Sequence, residues 1–183
     1  MRTTPAAVTA ALVAALTLTA CGDSSDTPGT SDEDTASGAA GGKVTACAAD
    51  KLTVGFGPSN AAPAAGDTGN IPVTLTNTGS TCTLQGVPDT EVHSGDSSWT
   101  VSTEEGAAEP KLTLAENAAA SFTITYVRGA AGDPEQAVRP ERVEFRLPGG
   151  GTAQSYAWPD AEVAVKSAEE LDMTVSPFLP SGD

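Results

Sequence analysis

The sequence predicts an all-β fold: an immunoglobulin-like antiparallel β-sandwich of seven to nine strands. Three observations lead there. Apolar and polar residues alternate with period two in short runs spread between Leu52 and Val175, which is the pattern of half-buried strands. Clusters of Gly, Pro, Asn, Asp and Ser separate those runs and read as turns. Aromatics make up only 4% of the chain, so the core rests on Val, Leu, Ile and Ala. A single sheet would leave one apolar face in water, so two sheets must pack together.

The runs follow in order. "LTVGF" sets Leu52, Val54 and Phe56 on one face. "IPVTLTN" sets Ile71, Val73 and Leu75 against Thr74 and Thr76. "SWTVS" joins Trp99 to Val101, and "KLTL" joins Leu112 to Leu114. "SFTITYV" aligns Phe122, Ile124 and Tyr126 opposite Thr123 and Thr125. "RVEFRLP" aligns Val143, Phe145 and Leu147, and "MTV" closes the set with Met173 and Val175. Between the last two, "PGGGT" at 148–152 reads as a hairpin loop. "DAEVAVKSAEELD", 160–172, sets Ala161, Val165 and Ala168 on one face of a short predicted helix, a face that Val163 does not fit.

The first 43 residues differ in kind. Arg2 precedes an apolar run from about Pro5 to Leu18. It is shorter than the ~20 apolar residues of a membrane-spanning helix, and suits a secretory signal. It ends in Leu18-Thr19-Ala20-Cys21, which looks like a bacterial lipobox. Residues 1–20 are therefore expected to be a lipoprotein signal peptide, with Cys21 carrying the lipid. Two acyl chains on that residue would hold the protein stably at the membrane. Residues 22–43 contain no apolar side chain larger than Ala or Pro and several aspartates. With Cys21 they form an expected lipidated, disordered acidic linker, 21–43, ahead of the sandwich domain at 44–183.

The formal net charge is -15. It argues against nucleic acid as a partner, since phosphates would be repelled. The chain has three cysteines, Cys21, Cys47 and Cys82. In an exported protein pairing is the default, and with Cys21 taken by lipid, Cys47 and Cys82 are expected to form a disulfide. Cys47 lies just before the first strand and Cys82 just after the turn that ends the second. Two antiparallel neighbours would bring them together.

"LTNTGSTCTLQGVPDTEV" resembles the signature of a family of actinobacterial secreted proteins, a domain of unknown function numbered 4232. Asn77, Gly79, Cys82, Leu84, Gly86 and Pro88 match it, as does Cys47 ahead of "LTVGF". Val87 stands where an aromatic is commoner, and the second cysteine pair of many members is missing. The resemblance extends over about 45–180, implies the same sandwich, and brings no chemistry with it.

Searching for chemistry yields little. His93, the single histidine, sits near a turn and reads as a surface residue; Ser94 and Asp96 beside it do not make a triad. Two cysteines and one histidine are too few for zinc, and no metal or cofactor is expected. Consecutive Glu104 and Glu105 would point to opposite faces of a strand, and read as solubilising charges. Trp99, Tyr156 and Trp158 could stack a sugar or pack the core. The expectation is a monomeric, non-enzymatic lipoprotein, anchored through Cys21 to the extracytoplasmic face of the cell membrane, with an envelope protein or glycan as partner. The alternatives are a carbohydrate- or peptidoglycan-binding module and an envelope hydrolase using paired carboxylates.

Overall fold

The computed structural model describes residues 44–60, 62–159 and 161–181. The expected signal peptide and lipidated linker lie outside the described residues. A 3-10 turn at Ala49–Lys51 leads into β1 (Leu52–Phe56), β2 (Thr68–Asn77), β3 (Cys82–Leu84), β4 (Asp89–Ser94) and β5 (Ser97–Thr100). There follow β6 (Ser102–Thr103), β7 (Leu112–Leu114), β8 (Ala119–Val127), β9 (Ala137–Val138) and β10 (Arg142–Arg146). The last are β11 (Gln154–Ala157), β12 (Val163–Ser167), β13 (Glu170–Leu171), β14 (Met173–Val175) and β15 (Leu179–Pro180). The fifteen segments among the described residues exceed the expected count because the long strands are joined by short ones. Eight of them run four residues or more.

The molecule is an all-β sandwich. One sheet runs β1-β2-β8-β14-β6, with β15 also on β8. The other runs β11-β10-β4-β5. Smaller sheets, β3-β7 and β13-β12-β9, flank them in the pairing scheme. The centre of the first sheet is β2 against β8, paired from Thr68↔Val127 to Thr76↔Ala119. Their alternation is the sequence pattern made visible: Ile71, Val73, Leu75, Phe122, Ile124 and Tyr126 are buried, and the threonines between them are not. Val92, Val143 and Phe145 supply the facing core from β4 and β10. Phe122 meets Phe145 edge-on, with ring centroids 5.4 Å apart, and this contact ties one sheet to the other. Tyr126 lies over its cross-strand neighbour Gly69. A Cβ there would come within 2.5 Å of the tyrosine ring, so the glycine is what admits it.

Two features differ from the reading of the sequence. The 160–172 segment is a hairpin rather than a helix: β12 and β13 pair through Val165↔Leu171 and Ser167↔Glu170. Val163 and Leu171 are buried in the core, and burying them from a strand outweighs the modest helix preference of its Ala and Glu residues. The pairing is also not wholly antiparallel, since β6 runs parallel to β14. The chain leaves β5 in the second sheet, buries Val101, and enters the first sheet as β6. The expected hairpin at 148–152 joins β10 to β11, with Gly149, Gly150 and Gly151 all at positive φ.

Candidate functional site

The second sheet turns one face to the core and the other to solvent. Thr90 and Val92 of β4 point inward, so Glu91 and His93 share the outer face. On β10, Val143 and Phe145 point inward, so Arg142 and Glu144 join them. The antiparallel register sets Glu144 opposite Glu91 and Arg142 opposite His93. The Glu144 carboxylate is thereby caught between two bases. Its Oε1 accepts a hydrogen bond from Arg142 Nε at 3.1 Å, and its Oε2 lies 3.6 Å from His93 Nε2. Glu91 Oε2 is 4.0 Å from the same nitrogen.

The hydrogen bond from Arg142 holds the Glu144 carboxyl below its ordinary value of 4.5, helped by a hydrogen bond from Ser155 and the nearby His93, and opposed by partial burial. A lowered folded-state pKa gives stability that is present above the unfolded value and lost as pH falls through the folded one. Carbon-13 NMR of the side-chain carboxyl should therefore show Glu144 titrating below the ordinary glutamate value. Arg142→Ala should move that titration upward. A midpoint unchanged by the substitution would show that Arg142 is not the cause.

Beside this row lies a groove of about 500 Å³, bordered by Val87, Pro88, Asp89, Glu91, Glu109 and Glu144, with Arg146 and Thr103 also on its wall. The β4–β10 pairing supplies most of the charge, and Glu109 is brought to the wall from the loop before β7. Four carboxylates against one guanidinium make it an acidic recess suited to a cationic ligand.

Apart from His93, the residues singled out from sequence fall elsewhere. Trp158 is buried, meets Tyr126 edge-on, and donates its indole N–H to Ala161 O. Tyr156 is half-buried, stacked on Phe145 and tilted against Phe56. Trp99 is half-buried against the core opposite Val92. These rings pack the interior, because a core so poor in large side chains uses the few it has. They form no open stacking platform. Glu104 and Glu105 are both exposed in the loop after β6. His93, read as a surface residue, is only 14% exposed. The pairing that matters, Glu144 with Glu91 and His93, was missed. "EVH" put two of the three on one strand face, but only the β4–β10 register brings in the third.

Cys47 and Cys82 form the expected disulfide, with Cα atoms 4.9 Å apart. The neighbouring β1 and β2 bring the two ends close. Alignment comes from the segment before β1, which runs beside β3: Thr83 N donates to Thr45 O, and Cys47 N to Thr83 O. The family model described as "Domain of unknown function (DUF4232)" matches residues 47–179. The chain belongs to the DUF4232 family. Its DUF4232 domain thus opens on the disulfide and closes on β15. No curated protein matches the chain. The acidic groove and the Glu91–His93–Glu144 row both fall inside the DUF4232 match.

Proposed function

We propose that this chain is a non-enzymatic binding module, held on the extracytoplasmic face of the cell membrane by a lipid on Cys21, in the manner of an actinobacterial secreted lipoprotein. The acidic groove on the second sheet is the observation that carries the binding reading. It would take a positively charged segment of an envelope component. The anchor reading rests on Leu18-Thr19-Ala20-Cys21 after an apolar run, and a disulfide between the remaining cysteines fits an oxidising compartment. Hydrolysis by paired carboxylates is less well supported. A general acid needs a raised pKa, and Glu144 is shifted downward.

Two measurements test this on the full chain. Mass spectrometry of the N-terminal peptide should find diacylglycerol on Cys21, and Cys21→Ser should move the protein from the membrane to the soluble fraction. Short lysine-rich peptides should bind the protein with strong salt dependence. The double change Asp89→Asn, Glu109→Gln should weaken that binding several-fold. Membrane retention of Cys21→Ser would end the anchor reading, and peptide binding indifferent to the double change would end the groove reading.

A further inference from the structure

The outer face of the second sheet gathers three metal-ligating side chains that the groove reading does not use together. Glu91 and His93 project from β4 two residues apart, and Glu144 projects from β10 opposite Glu91. One ligand atom from each lies within 4.8 Å of the other two. His93 Nε2 is shut away from solvent and makes no hydrogen bond. The carboxylate oxygens of Glu144 and Glu91 stand 3.6 and 4.0 Å from it, too far to accept from it directly. A buried ring nitrogen aimed between two carboxylates, with no bond made to either, is the geometry a cation would satisfy.

We propose that Glu91, His93 and Glu144 form a binding site for one divalent transition-metal ion of the zinc type. Metal–ligand bonds of about 2.0–2.2 Å at a tetrahedral angle hold donor atoms roughly 3.3 Å apart. The donors here stand 3.6 and 4.0 Å from the histidine nitrogen and all within 4.8 Å of one another, so closing on an ion asks the two glutamate side chains to rotate inward. One imidazole with two carboxylates selects a borderline ion such as zinc over magnesium or calcium, which prefer oxygen alone. Arg142 takes up Glu144 Oε1 and leaves Oε2 toward the histidine, the outer hydrogen bond that commonly orients a ligand. Three protein ligands leave a position open. Glu91 and Glu144 also border the groove, so that position is available to water or to a donor group on a groove ligand. The site needs neither the lipid anchor nor the cationic partner, and stands or falls apart from them.

The chain has one histidine, so its ring nitrogens can be followed without ambiguity. The test uses the full chain carrying Cys21→Ser, to remove a competing thiol, purified without a histidine tag. Zinc chloride is titrated by calorimetry and by nitrogen-15 NMR of the imidazole. The expected result is one ion per chain and a zinc-dependent shift of the His93 Nε2 resonance. His93→Gln and Glu144→Gln should each weaken binding at least tenfold. Glu104→Gln, on an exposed loop, should change it less than twofold. Circular dichroism checks that each variant is folded, and the NMR shift in the unsubstituted site decides the matter if one is not. An Nε2 resonance unmoved by zinc, or moved equally by magnesium, overturns the proposal. Zinc affinity unchanged in Glu144→Gln overturns it as well, since the ion would then be bound elsewhere.

Discussion

Asn77→Ala is expected to destabilise the domain by about 3–4 kcal/mol, the largest loss from any single polar side chain in its core. Asn77 closes β2 and is 0% exposed. Its Nδ2 faces three carbonyls, Ser80 O at 3.0 Å, Leu114 O at 3.0 Å and Ala115 O at 3.1 Å. Its Oδ1 accepts from Gly79 N at 2.9 Å, which forms the turn into β3. One side chain therefore fastens the end of β2, the following turn and the end of β7. Alanine would remove every bond the amide makes, including the one to the buried Leu114 carbonyl, and leave a void where the amide was; Ala115 O would keep its bond from Ala118 N. Each lost bond costs about 0.5–1.5 kcal/mol, and the void adds to that. Asn77→Asp should be at least as damaging, because an ionised carboxylate would face carbonyl oxygens. Thr78→Ala next door removes a bond from an exposed hydroxyl to Lys51 O and should cost under about 1 kcal/mol. Urea unfolding of the three variants measures this. Near-equal midpoints for Asn77→Ala and Thr78→Ala would mean that the turn holds without the amide.

The second large effect is expected from the disulfide. Cys47 and Cys82 close a loop with a sequence separation of 35. The chain-entropy model gives about 3.5–4 kcal/mol for such a loop, a substantial part of the 5–15 kcal/mol typical of a domain. Cys47→Ala with Cys82→Ala, or reduction of the unsubstituted protein, should lower the midpoint of thermal unfolding by about 10–15 °C. The bridge pins the segment before β1 to β3, which is otherwise held by short backbone pairings at Thr45, Cys47 and Thr83. Those amides should therefore lose hydrogen-exchange protection first. A midpoint within about 2 °C of the oxidised protein would show that the sheets already restrain both ends.

The sequence made some of this legible. Alternation located the strands that bury one face: β1, β2, β8 and β10 stand where period two placed them. Those patterns are local, and a strand's face is set by its own residues. The crosslink was legible too, because few cysteines leave few pairings. Asn77 was visible as one residue of a family signature. Its function as a hub was not, since two of its carbonyl partners lie 37 and 38 residues away. The 163–171 hairpin was misread because its composition favours a helix and its burial is supplied by the rest of the fold.

What the sequence determined by itself, then, is the sandwich and its staple: where the chain alternates, where it turns and which two sulfurs can meet. Only the tertiary structure decided what lies on the surface. Glu144 meets Glu91 and His93 because β10 pairs with β4 in one register and no other. A shift of one residue would turn Glu144 to the core and Phe145 to water. That choice is made by the buried faces of Val92, Val143 and Phe145, so packing on the inside fixes the charge cluster on the outside.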